Sequence, residues 1–199
     1  MKPINNWNAV KAPTEFTELP AGGYVCKIMG AEVKEYTNTN TGDTWEKLEV
    51  SIDISEGDYA DYFANGYRNQ TEPKKWKGII QYYIPVDDGS EKDEWSKRTL
   101  KGFTDAVETS NIGYTWDWDE NKLKGKKIGV LFRREEWEYN GKTGWKTAPF
   151  KAIDATRAAT GEFKMPADKP LKNNSSNSNN FANFATNFQD VGSEEDLPF

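Results

Sequence analysis

The chain has 199 residues, of which 36% are hydrophobic and 27 aromatic, and it carries a formal charge of −6 with one cysteine and no histidine. Lacking histidine, it has no Ser-His or Cys-His nucleophile pair, no imidazole general base and none of the usual catalytic zinc sites. No apolar run approaches the roughly 20 residues that span a bilayer.

The opening residues "MKPINNWNAVK" carry no apolar stretch of the signal-peptide kind. Cys26 has no partner for an internal disulfide and reads as a buried, reduced thiol. These features predict an intracellular protein. Its charge is uneven: residues 120–165 hold 11 basic and 6 acidic side chains, a net +5 inside an acidic chain. Local potential at a groove decides polyanion binding, whereas net charge speaks mainly to solubility.

In chain order, Gly22-Gly23 leads into Tyr24, Cys26 and Ile28 on alternate positions, a first strand running towards Tyr36, and "TNTNTGD" turns it back. Leu48, Val50, Ile52 and Ile54 alternate with polar residues, the pattern of a half-buried second strand. "EGDYADYFANGY" allows a short helical turn within an excursion. A third strand is expected over 78–84, stopped by Pro85 and "DDGS". From Ser96 to Ser110 the period changes, with Leu100, Phe103, Ala106 and Val107 on one face of a helix. Ile128, Val130 and Phe132 open a fourth strand reaching Tyr139. Asn140-Gly141 is a strong two-residue hairpin signal, and residues 145–153 return as a fifth strand.

The predicted order β-β-β-α-β-β places the chain in the mainly β class. It is the order of an OB-fold, a five-stranded Greek-key barrel with a helix between strands three and four. That domain is expected over residues 1–170. Residues 171–199 are Asn, Ser, Phe and acids with few aliphatics, a composition that cannot offset its ordering entropy, and a disordered acidic tail is expected there.

Single-stranded DNA binding needs cations for phosphates and flat rings for unpaired bases. Two stretches supply both. Arg133, Trp137, Tyr139, Lys142, Trp145 and Lys146 gather on the predicted hairpin, with Arg133, Trp137 and Tyr139 favoured because Phe132 and its alternates point to the core. Lys74, Lys75, Trp76 and Lys77 lead into Tyr82 and Tyr83 on the third strand, and Trp45 lies at the turn between the first two strands. OB-folds bind oligonucleotides on strands two and three and on the loops joining strands one to two and four to five, which would bring Trp45, Trp76 and Trp145 near one groove. A solvated hairpin and a solvated lysine loop remain the plainer readings of the same residues.

Asp117, Asp119, Glu120 and Lys122 contain the Glu-x-Lys spacing of some metal-dependent nucleases, but in a predicted loop rather than on a core strand. No phosphate-binding glycine motif is present. The chain is therefore read as a non-enzyme without metal or cofactor.

The last six residues, "EEDLPF", resemble the acidic tip of bacterial single-stranded DNA-binding proteins, usually Asp-Asp-Asp-Ile/Leu-Pro-Phe. The "LPAGGYVCKI" opening and the 57–77 excursion are more similar to phage-encoded members of that group. The resemblance implies a protein that binds and protects single-stranded DNA in phage replication or recombination, in the host bacterial cytoplasm. It implies that Asp196, Leu197, Pro198 and Phe199 recruit replication or recombination enzymes. Oligomeric state stays open, a homo-oligomer included. A replisome adaptor without DNA affinity and a metal-dependent nuclease are the alternatives from other classes.

Overall fold

The computed structural model describes residues 18–171 and positions 2 and 5; the tip residues Asp196, Leu197, Pro198 and Phe199 lie outside the described residues. Five strands, β1 (Gly22–Thr37), β2 (Thr44–Ile54), β3 (Ile79–Tyr83), β4 (Lys127–Tyr139) and β5 (Lys142–Ile153), form one antiparallel open sheet in the order β3-β2-β1-β4-β5. Three helices accompany it: α1 (Tyr62–Arg68), α2 (Glu91–Ser110) and α3 (Ala155–Thr160). The edge strands β3 and β5 approach each other within 8 Å, Cα to Cα.

The main core follows from the strand period. Cys26 and Ile28 of β1, Leu48, Val50, Ile52 and Ile54 of β2, and Ile128, Val130 and Phe132 of β4 all turn to one face and are buried there. Helix α2 closes that face with Leu100, Phe103 and Val107. It starts five residues before the expected Ser96. Ser90 accepts from the Asp93 N–H at 3.1 Å, a capping arrangement that fixes the start at Glu91. Burial raises the Cys26 thiol pKa strongly, with Asp53 adding to it, so the thiol stays protonated.

Two bulges set which side chains share a face. In β1 the register slips between Ile28 and Gly30, so Glu32, Lys34 and Tyr36 point away from the core although Cys26 and Ile28, also even-numbered, point into it. In β5 the extra residue is Phe150: Ala152 opposes Val130 on the core side, but beyond the bulge Trp145 opposes Glu136 and Lys146 opposes Glu135. Each slip inverts the distal half of a strand.

A second, smaller core lies on the opposite, outer face of the sheet. Val25, Leu131 and Ile153 are covered there by Ala155 and Ala158 of α3 and by Phe163. Periodicity does not reveal α3, because six residues give too short a hydrophobic pattern. Its local signals are Asp154, which accepts from Thr156 and Arg157 N–H groups, and Gly161 at φ 77°. The close approach requires Gly129, where a Cβ would meet the Asp154 carbonyl oxygen at 2.5 Å.

Candidate nucleic-acid interface

The outer face carries two aromatic patches on either side of α3. The first is built on β1, β2 and β3. Across the β1–β2 ladder Tyr36 opposes Trp45, and their rings stack at 6.2 Å with planes 8° apart. Lys47 sits next along, with its Nζ 5.1 Å from the Tyr36 ring centre and 4.5 Å from that of Tyr83. Lys47 donates to Gln81 Oε1 at 3.2 Å. Glu49 accepts from Lys34 at 2.7 Å, from the Tyr36 hydroxyl and from Gln81.

The electrostatics of this patch are self-contained. Burial disfavours the charged Glu49, but hydrogen bonds from Lys34, Tyr36 and Gln81 outweigh it and hold the carboxyl below the usual range. Burial lowers the Lys47 pKa, and Glu49 only partly offsets this. Lys34 and Lys47 are matched in number by Glu32 and Glu49, so the patch offers ring surface rather than net charge.

The second patch is the far half of the β4–β5 hairpin, whose turn is closed by Asn140 and Gly141 at φ 50° and 72°, the two-residue geometry that pair favours. By register, Arg133, Glu135, Trp137 and Tyr139 share the outer face with Lys142, Gly144 and Lys146. Three cations meet one acid there. Arg133 lies 4.0 Å over the Phe150 ring and 3.3 Å from the Glu135 carboxylate. The Trp137 ring covers Gly144, where a Cβ would come within 2.8 Å of it, so glycine leaves the indole room to lie flat across the strand. Tyr139 is 72% exposed.

Trp145 is not part of this group. It faces the core side of the hairpin, beyond the core's edge, beneath the Arg134 guanidinium at 4.8 Å. Arg134 also pairs with Asp168 at 3.6 Å. Residues near Lys169 run beside β4 where β1 has ended: Lys169 N–H donates to the Arg134 carbonyl, and Glu136 N–H to that of Lys169.

The other expected contacts divide. Tyr83 and Trp45 lie in the first patch. Tyr82 lies in the core, stacked on Phe103 at 4.6 Å, because β3 turns Ile80 and Tyr82 inward and Gln81 and Tyr83 outward. Trp76 is pinned by its Nε1–H, which donates to the Ile52 and Gly78 carbonyls at 3.1 Å each. That places it at the opposite end of β2 from Trp45, seven residues or roughly 23 Å along the strand. Lys74 donates to the Arg68 carbonyl and lies 5.6 Å over the Tyr67 ring, while Lys75 and Lys77 are exposed. Trp45, Trp76 and Trp145 therefore do not line one groove.

Tyr36, Lys34, Lys47 and Gln81 belong to the first patch and lie outside the contacts expected from the sequence. The alternation of β2 marks Lys47, but Tyr36 is hidden by the bulge. In the acidic loop, Lys122 of the 3-10 turn Glu120–Leu123 pairs with Asp117 and reaches Asp119 at 3.8 Å. Among the described residues no group of three His, Cys, Asp or Glu side chains is placed to hold a metal ion, and no helix is long and apolar enough to cross a membrane. What fold and surface define is a mainly β protein whose sheet carries aromatic and basic groups on the face opposite its core. Neither a family model nor a curated protein matches the chain.

Proposed function

We propose that this chain binds single-stranded DNA on the outer face of its sheet, without chemistry, during phage replication or recombination in a bacterial host. The observation that carries the reading is the hairpin face, where the exposed Lys142 and Lys146 share one side with Trp137 and Tyr139, while Arg133 is held between Phe150 and Glu135. Cations take phosphates, and each base–ring stack supplies about 1–3 kcal/mol. The Tyr36–Trp45 pair and Tyr83 would extend the stacking surface on the far side of α3.

The fold in this reading is an OB-fold. Bringing β3 against β5 would close the sheet order into a five-stranded Greek-key barrel. In support, Ile80 and Tyr82 of β3 and Ala152 of β5 are buried in the same core. Residues 196–199 would recruit a replication or recombination enzyme.

The test is a fluorescence-anisotropy titration of the full chain with single- and double-stranded oligonucleotides over a salt series. Phosphate contacts from the two exposed lysines, Lys142 and Lys146, predict a log–log salt slope of about −1.4 on single strands, with much weaker binding to duplex. Equal affinity for both forms, or none for either, would overturn the reading.

A further inference from the structure

Gly144 lies inside β5 without the left-handed φ that calls for glycine at Gly141 and Gly161. A glycine within a strand weakens it, having no side chain to pack. The surroundings of Gly144 supply the reason for it. The three atoms nearest to a Cβ there would all belong to Trp137: Cζ2 at 2.8 Å, Cε2 at 3.0 Å and Nε1 at 3.2 Å. The two residues are direct partners across the β4–β5 ladder. The indole therefore crosses β5 over the one residue that has no side chain to lift it.

The same register places the cations. Lys142 and Lys146 lie two residues to either side of Gly144, each about 7 Å along the strand and on the same face. Both are exposed, and neither makes a salt bridge among the described residues. Glu135, which opposes Lys146, is taken by Arg133 at 3.3 Å. Trp137 is half-buried, and no other ring of the described residues is stacked on it. A flat ring with one cation on each side matches the repeating unit of a single strand, in which every base lies between two phosphates.

We propose that Gly144 is the positioning residue of a one-nucleotide subsite. By leaving the Trp137 indole flat on β5, it lets one unpaired base stack there while the phosphates on either side of that base meet Lys142 and Lys146. This rests on the single-strand reading and adds the residue that makes the ring a platform. An alanine at 144 keeps the strand and both lysines but displaces the indole, so the stack is lost and the phosphate contacts stay. One stack changes affinity about 5- to 150-fold, and each phosphate contact contributes about 0.7 to the log–log salt slope. The two halves of the subsite thus have separate signatures. A ring that merely shields a strand glycine is a structural use of the same pair, and it would alter melting without any dependence on bases.

The test is anisotropy of the full chain and of Gly144→Ala over a salt series. The probes are a single-stranded oligonucleotide and an abasic sugar-phosphate chain of equal length. Gly144→Ala should bind the oligonucleotide about 5-fold more weakly or worse at every salt concentration, with the slope kept near about −1.4. It should bind the abasic chain as the unaltered protein does. Trp137→Ala should behave alike, and combining the two substitutions should add nothing. Unchanged oligonucleotide affinity in Gly144→Ala would overturn the proposal and leave single-strand binding standing. A shallower slope, or an equal loss on the abasic chain, would also overturn it, because the lysines would then have been disturbed. No binding by the unaltered chain would overturn the single-strand reading and the subsite with it. One measurement needs no altered glycine: an indole flat over Gly144 shifts that residue's Hα signals upfield by its ring current, and Trp137→Ala should abolish the shift. Ordinary Hα positions in the unaltered chain would overturn the proposal.

Discussion

Two tryptophans of one hairpin make opposite predictions. Trp137 lies on the outer face among Arg133, Lys142 and Lys146, whereas Trp145 lies on the other face under Arg134. Trp137→Ala should weaken binding to a single-stranded oligonucleotide by about 1–3 kcal/mol, and Trp145→Ala should leave it nearly unchanged, both read by anisotropy. A loss confined to Trp145→Ala would place the contact on the wrong face. Lys142→Ala with Lys146→Ala should reduce the steepness of the log–log salt dependence by about 1.4, since each lost phosphate contact on a single strand removes about 0.7. These lysines are exposed and outside the core, so their loss should not disturb folding.

At the level of the elements, two buried carboxylates hold local structure. Asp53, on the outer face of β2, accepts from the Phe63 and Ala64 N–H groups at 2.9 and 3.0 Å and so caps α1 from a neighbouring strand. Asp53→Ala should cost about 1–2 kcal/mol in a urea melt, the range of a lost helix cap. Asp93 accepts from the Asp87 N–H and from Lys97. The Lys97 ammonium is the main cause holding the Asp93 carboxyl below its usual range, against an opposing desolvation. With the folded pKa depressed, its stabilisation is full above the unfolded value of about 3.9 and is lost as pH falls through the folded value. Asp93→Asn should flatten that part of the acid-unfolding curve. Gly129→Ala should destabilise the α3 side by about 1–3 kcal/mol through overpacking against the Asp154 carbonyl, visible as a lower Tm.

Across the whole molecule, the basic segment 120–165 supplies every cation of the hairpin patch, while the rest of the chain is acidic. That distribution predicts salt-sensitive single-strand binding by a protein that repels polyanions elsewhere. Deleting residues 194–199 removes three of the acids, and should leave single-strand affinity intact or higher in the same titration while abolishing association with a recruited enzyme in sedimentation.

Much of the architecture was legible because it is local. Periods of two and of about 3.6 residues located all five strands and α2, and Asn140-Gly141 located the hairpin. The basic segment, the buried Cys26 and the outward Arg133-Trp137-Tyr139 face of β4 could also be read from the chain alone. What pairing between strands decides was not legible. The bulges at Met29 and Phe150 invert the faces of β1 and β5. The first turns Tyr36 outward beside Trp45 and Lys47, and the second sets Lys146 on the outer face with Trp145 behind it. Likewise Tyr82 or Tyr83 had to enter the core, and only packing on Phe103 chose Tyr82.

The physical reason is the range of the interactions involved. Side-chain period and turn chemistry depend on residues a few positions apart, so strands, helix and hairpin follow from the sequence itself. Which side chains share a surface depends on register between strands distant in sequence, and a one-residue slip moves a whole half-strand to the other face. The chain by itself therefore determined that rings and cations occur on the hairpin. Only the tertiary structure decided that Trp137, Lys142 and Lys146 stand together, with Trp145 behind them.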